Sequence, residues 1–441
     1  MDLAGRTRRT LARLAVAGLL LTAGMVARIG RALRGQRAGG AIPRRSDGKV
    51  SLLVVGTFYN PNWIRSHLFP LARAANVADV RVVCSQAALA HPKLIYDVPP
   101  RWLSRLAGRA VSKVVWFFVV ACRRRPHVAI GYHIMPNGLL ALMASGLVGC
   151  RSIYQMTGGP VQFIGGGCGS ENPLLHMQGG PSRTLENWML GVGRLMDRIV
   201  VRGETARRFL RDHRVCDAAP IVTGSVDVDR FCPRPLPKRY DIAYVARLVP
   251  AKGLEPFLDI VAELKKRRAE IRAVVAGDGV LRESLIRRAR ELGVEENVAF
   301  LGQTDDVPGV LAQARLFMLV SPTEGLAIAM LEAMSAGLPV VVNDVGDLRD
   351  AIADGRSGIL LSDRRPDCAA EVVLSLLEDA GRLEAMGAAA RQTAVEHYSL
   401  GAVANRWAAL LDGAGPSSVR TAGNHSGMLD AAATGRQGIA G

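Results

Sequence analysis

The chain has 441 residues, 49% of them hydrophobic and only 5% aromatic, which is too long for one ordinary core and suits two packed domains of about 180 residues each. Its formal charge of +17 admits nucleic acid, an acidic membrane surface or anionic small molecules as partners and selects none of them. The seven cysteines are scattered, with no CxxC pair and no cysteine–histidine cluster at zinc spacing, so a reducing compartment and the absence of a structural metal are the default readings.

Residues 1–45 differ from the rest. Arg6, Arg8, Arg9 and Arg13 precede an apolar stretch from Leu14 to Ala27, and Arg28, Arg31, Arg34 and Arg37 follow it. Fourteen apolar residues fall short of the ~20 that a span needs. An interfacial anchor fits, with arginines facing anionic lipid and Leu14, Leu19, Leu20 and Leu21 dipping into the acyl boundary. A secretory signal and a dispensable leader from an early start codon are the alternatives, the former lacking a small-x-small cleavage site.

From Val50 short β-branched runs alternate with longer helical stretches, the pattern of parallel sheets covered by helices. Strands are expected at Val50–Gly56, Val80–Cys84, Val128–Gly131, Ile153–Met156, Ile199–Arg202 and Ile221–Thr223 of a first domain, residues 48–231. Within it, Arg101 to Arg125 reads as a helix with a buried apolar face, or secondarily as a membrane contact. The glycine-rich run Ile164–Gly169 reads as a mobile acceptor-side loop that forms no packed element. Cys232-Pro233-Arg234-Pro235-Leu236-Pro237 can continue neither a helix nor a central strand and marks a linker. A second βα series, residues 238–395, places strands at Asp241–Ala246, Ala273–Ala276, Val298–Leu301, Leu316–Val320 and Val340–Val342. A last helix at 400–411 lies within a segment 396–412, and a disordered tail is expected over 413–441. The fold class is α/β with two Rossmann-like domains, and ligands in such sheets bind outside the carboxyl ends of the strands.

Two loops at strand ends carry the chemistry. In Ser321-Pro322-Thr323-Glu324-Gly325-Leu326-Ala327 a strand gives way to a helix, and Gly325 lets the amides of the helix start approach an anion such as a diphosphate. Glu332, about two turns into that helix, is suited to accept hydrogen bonds from sugar hydroxyls. An ordinary capped helix with a surface glutamate is the competing reading. The other loop, in Tyr244-Val245-Ala246-Arg247-Leu248-Val249-Pro250-Ala251-Lys252-Gly253, places Arg247 and Lys252 where a dinucleotide fold would carry GxGxxG. Two cations there can neutralise a diphosphate leaving group without a metal ion.

These residues resemble the donor site of the retaining glycosyltransferases of the GT-B fold, specifically the GT4 family, the glycosyl transferases group 1. Glu324 and Glu332 match its pair of glutamates, Glu332-Ala333-Met334-Ser335-Ala336-Gly337-Leu338-Pro339 its usual continuation, and Ala276-Gly277-Asp278-Gly279 its glycine turn. The resemblance is strong over residues 240–362 and loose over 50–412. It implies two Rossmann-like domains facing a cleft, with the helix at 400–411 crossing back to the first. It implies that Arg247 and Lys252 hold the diphosphate and Glu332 the ribose, and that Glu324 with the amides of Gly325, Leu326 and Ala327 holds the transferred sugar. Gly277 and Gly279 would line the donor site. His133, after the strand ending at Gly131, resembles the family's histidine facing the donor sugar, although a buried structural histidine fits as well. Where the family often has a second His-Gly pair, this chain reads Met156-Thr157-Gly158. Asp227-Val228-Asp229 spells a DxD, but its surroundings resemble the segment leading into the linker rather than a metal site.

The resemblance implies retention of configuration, transfer of a hexosyl-type unit from a UDP- or GDP-type nucleotide sugar to a glycan or lipid-linked acceptor, no cofactor and no metal; nucleic acid is not expected as a partner, since no recognised binding module is present. The expected place is the cytoplasmic face of a membrane, with peripheral contact. A sugar-nucleotide epimerase, which needs no acceptor, and a non-catalytic membrane-associated subunit, which binds no nucleotide, are the rival functions.

Overall fold

The computed structural model describes residues 3–36, 40–58, 60–170, 172, 175 and 177–413, so the expected disordered tail lies, but for Gly413, outside the described residues. Contacts divide the chain into two units: residues up to Gly224 together with the stretch from Val403, and Ser225–Ala402.

Helix α1 runs from Leu3 to Leu33, which corrects the expected apolar length. The flanking arginines are good helix formers and extend the helix, so that Arg9–Leu33 is long and apolar enough to cross a membrane by length and composition. One face of α1, however, belongs to the first core. Val16, Leu20, Ala23 and Ala27 are at most 3% exposed and pack with Leu139 and Leu142, so Leu20 does not point toward lipid. Arg31, expected as a flanking charge, is buried and paired with Asp197 at 3.0 Å, which Arg151 also reaches at 3.2 Å.

In the first unit β1 (Val50–Val55), β2 (Val77–Val83), β3 (Leu94–Asp97), β4 (Val128–Tyr132), β5 (Arg151–Met156) and β6 (Arg198–Val201) form a parallel sheet in the order β3-β2-β1-β4-β5-β6. Alternation along β1 feeds two cores: Val50, Leu52 and Val54 face one side, Leu53 and Val55 the other. The covering helices are α2 (Pro61–Arg73), α3 (Arg101–Arg124), α4 (Leu139–Val148), α5 (Arg183–Gly193) and α6 (Glu204–Asp212). Ile221–Thr223, expected as a strand, makes only a bridge from Ile221 to Val201. Helix α3 breaks at Gly108, where φ is +75°. The later part buries Phe117 and Val120, whereas Trp102 and Leu106 before the break stay exposed.

The second unit repeats the plan. Strands β7 (Tyr240–Val245), β8 (Ala273–Ala276), β9 (Val298–Gly302), β10 (Ala314–Leu319), β11 (Val340–Asn343) and β12 (Gly358–Leu361) pair in the order β12-β11-β10-β7-β8-β9, all parallel. Helices α7 (Leu254–Arg267), α8 (Arg282–Glu291), α9 (Val307–Ala312), α10 (Ile328–Ser335), α11 (Pro366–Glu378) and α12 (Ala380–Thr393) cover it. Helix α13 (Leu400–Leu411) then returns the chain to the first unit. Its Val403, Trp407, Leu410 and Leu411 join the core of β1 and β2, and Asn76 Nδ2 donates to the Ala408 carbonyl at 2.8 Å.

Each sheet reverses its strand order once: between β1 and β4 in the first unit and between β7 and β10 in the second. At such a point the two loops leaving the strands diverge to opposite sides and open a crevice at the carboxyl ends.

Candidate active site

The crevice of the second unit is built by the two loops singled out in the sequence. The loop after β7 is pinned by Tyr244, whose hydroxyl donates to the Lys252 carbonyl and accepts from the Val320 amide at 3.2 Å. Gly253, with φ at +65°, lies so close to the end of β10 that a Cβ there would sit 2.2 Å from the Val320 carbonyl oxygen. This approach brings Lys252 Nζ to Glu324 Oε1 at 2.5 Å, and the Ser321 hydroxyl donates to the same carboxylate oxygen at 2.9 Å. The Glu324 side chain is only 7% exposed, so the pair is shielded from bulk water and interacts more strongly than a surface pair.

After Glu324 the chain passes through Gly325 and Leu326 to Ala327, which precedes α10 with no side-chain cap. The side-chain cap that the competing reading supposes is not there. The amides of the first turn have no intrahelical acceptors, and together with the helix dipole they make the positive end of α10 a place for an anion. Glu332 is the fifth residue of α10, hence just over one turn from its start rather than two. It is 6% exposed, and no hydrogen bond holds its carboxyl among the described residues. Burial pushes that carboxyl up to about 8, against the smaller opposing pull of Arg230. A nearly buried carboxyl held by no protein donor is suited to hydroxyl groups of a ligand.

The other donor-side candidates are placed by backbone packing. Gly277 and Gly279, after β8, lie against the loop after β7. A Cβ would approach the Ala246 carbonyl oxygen to 1.8 Å from Gly277 and that of Leu248 to 2.4 Å from Gly279. The Leu248 amide also donates to the Asp278 carbonyl at 2.9 Å. Arg247 stands exposed on that same loop. In the DxD segment the Asp227 side chain accepts from the Arg230 amide at 3.1 Å and caps a turn. Among the described residues no three His, Cys, Asp or Glu side chains gather as a metal site.

His133 belongs to the first unit, at its own reversal point beyond β4. Its backbone has φ at +65°, a conformation that costs on the order of 1–3 kcal/mol in a non-glycine residue. It is held there by the Gly138 amide donating to its carbonyl at 2.9 Å. Gln162 Nε2 donates to its Nδ1 at 2.7 Å, and the Thr157 hydroxyl oxygen lies 3.2 Å from both ring nitrogens. Thr157 thus stands where the family pattern often has a second histidine, and it steadies the first. His67, buried close by, is pushed well below its ordinary value by desolvation and then by the charges of Arg202 and His133, so it stays neutral.

The run Ile164–Gly169 corrects an expectation. It forms a tight turn over Ile164–Gly166 with Gly165 and Gly166 buried, packed on α5. The Gly165 amide donates to Glu186 Oε2 at 2.8 Å and the Gly166 carbonyl accepts from Gln178 Nε2 at 2.8 Å. Its glycines serve positive φ at 165, 166 and 167.

Sequence reasoning missed Tyr244, Ser321 and Asn343, whose Nδ2 donates to the Ser321 carbonyl at 3.1 Å. Ser321 could have been found, since it lies three residues before Glu324. Tyr244 and Asn343 act across strands and left no local signal.

Residues 227–393 match the profile of the family described as Glycosyl transferases group 1. Among curated proteins, the GDP-mannose-dependent alpha-(1-6)-phosphatidylinositol monomannoside mannosyltransferase of Mycobacterium tuberculosis is 28% identical over 81% of this chain and 89% of its own length. The D-inositol 3-phosphate glycosyltransferase of Salinispora tropica is 33% identical over 46% of this chain and 48% of its own. Among solved structures, Anabaena HepE in complex with UDP superimposes with a TM-score of 0.64 at 16% identity, covering 83% of this chain and all of that one. WaaG, a glycosyltransferase of lipopolysaccharide biosynthesis, gives 0.61 at 18% identity over 82% of this chain and all of that one. These likenesses establish the α/β fold as that of the GT-B glycosyltransferases.

Proposed function

We propose that this chain, a glycosyltransferase whose second unit is a glycosyl transferases group 1 domain, transfers a mannosyl-type hexose from a GDP-sugar to a lipid-linked acceptor at the cytoplasmic face of a membrane, with retention. The observation that carries the reading is the contact of Lys252 with Glu324 beside the uncapped start of α10. It joins a cation, a carboxylate and the amides of a helix start in one crevice, the set needed to hold a diphosphate and a sugar together. The choice of guanosine and of a lipid acceptor follows the mycobacterial relative; HepE, which is more distant, was solved with UDP.

In the reaction the bond between the anomeric carbon and the β-phosphate oxygen breaks, and its electron pair leaves with the nucleoside diphosphate. The acceptor oxygen bonds to that carbon, and its proton passes to the departing diphosphate. Arg247, Lys252 and the amides at the start of α10 stabilise the growing negative charge. Glu324 orients the sugar hydroxyls, and Glu332 accepts from the ribose.

The test is a panel of labelled GDP- and UDP-sugars incubated with the full chain and a membrane extract. The expected result is label in the lipid phase from a GDP-sugar, dependent on the extract. Release of free epimerised sugar without acceptor, or no nucleotide binding at all, would overturn the proposal in favour of an epimerase or a non-catalytic subunit.

A further inference from the structure

We infer that the outer face of α1 is a docking surface for an anionic lipid bilayer, on which the helix lies flat. The inference deepens the proposed function and takes from it only the membrane location of the acceptor.

The inner face of α1 is committed to the protein. Besides Val16, Leu20, Ala23 and Ala27, the helix closes on α4 so tightly that a Cβ on Gly30 would lie 1.9 Å from the Gly146 carbonyl oxygen. Arg31 also donates to the Leu195 carbonyl at 2.6 Å. The outer face is the reverse. Leu11, Leu14, Leu21, Met25 and Ile29 recur at spacings of three, seven and four, on one side of the helix, and each is more than half exposed. The stripe runs for about 27 Å at helical rise, and an apolar strip of that length on a soluble surface marks an interaction site.

Charge identifies the occupant. Helix α1 contains six arginines and no acidic residue. Arg28 is exposed beside the stripe, and Arg183 on α5 is exposed as well. The single acid of α5, Glu186, is turned inward to the Gly165 amide. An apolar strip on a helix whose charged residues are all arginines fits acyl chains below anionic headgroups. Crossing the membrane instead would strip Arg31 from Asp197 and leave a buried charge unpaired, so the helix length does not make it a span.

The opposite side of the same helix reaches the glycine turn. Arg13 Nε donates to the Gln178 carbonyl at 3.2 Å, and Gln178 Nε2 to the Gly166 carbonyl. The glycine turn that follows Gln162, the partner of His133, is therefore tied to the lipid-facing helix.

The experiment is sedimentation of the full chain with vesicles of phosphatidylcholine alone or mixed with phosphatidylglycerol. Wild type is expected to bind the mixed vesicles about tenfold or more tighter than the neutral ones. The combined variant L14D/L21D/M25D is expected to lose about tenfold or more of that binding, with an unchanged melting temperature because none of the three is buried. Arg28→Glu is expected to narrow the preference for anionic lipid. Equal binding of wild type to neutral and anionic vesicles, retention by the triple variant, or a dimer in light scattering that the triple variant dissolves would each overturn the inference. Sedimentation uses neither donor nor acceptor, so its outcome is separate from that of the transfer assay.

Discussion

At the residue scale, Glu332 shows how position changes a group's character. Its carboxyl is raised from 4.5 to about 8 by burial. Between those values the unfolded chain carries the charge and the folded chain keeps the proton. Rising pH therefore lowers stability across that window, by up to about 1.4 kcal/mol per unit, and the loss is complete above the folded value. Glu332→Gln removes this dependence. Scanning calorimetry should find the variant's melting temperature close to wild type near the acid end of the window and increasingly above it toward pH 8; a difference constant with pH would refute the assignment. The glutamate pair was legible because each residue sits in a short local pattern. The environment of Glu332 was not, since it depends on Arg230 and on how deeply α10 is buried. Nor was the direct contact of Lys252 with Glu324, which forms because β7 and β10 are neighbours although 72 residues separate the two side chains.

Among the elements, α1 departs furthest from its sequence reading. Hydropathy along Leu14–Ala27 averages two faces with different fates, and only the packing against α4 separates them. A matched pair of substitutions makes the point measurable. Gly18 faces open space and Gly30 meets the Gly146 backbone. Gly18→Ala should raise stability by up to about 1 kcal/mol through helix propensity, whereas Gly30→Ala should lower it by about 1–3 kcal/mol as α1 is forced off α4. Denaturant unfolding reads both, and equal effects would mean that α1 does not pack as described. The glycine run at 164–169 misled for a related reason. Glycine composition signals freedom in a chain read alone, but here positive φ and close approach to Leu185 use that freedom to build a tight turn. Strands β3 and β12 were missed because each is four residues long, three of them half-buried or exposed in β3 and two half-buried in β12, leaving no run of buried residues to notice.

For the molecule as a whole, two copies of one strand order explain why so much could be read from βα rhythm alone. Repetition of β-branched runs announces parallel sheets, and the order itself then fixes which loops meet. The second sheet's reversal between β7 and β10 turns two separate sequence patterns into one site. His133 at the corresponding reversal of the first sheet was legible only through family resemblance, and its Thr157 and Gln162 partners not at all. In the proposed reaction Glu324 acts on the transferred sugar from within this site. Glu324→Gln keeps the size of the side chain and its hydrogen bonds to Lys252 and Ser321, so the fold and nucleotide binding should persist. Sugar transfer to lipid, measured with the labelled donor, should fall on the order of 100-fold or more; a variant that folds, binds nucleotide and transfers at the wild-type rate would contradict the account.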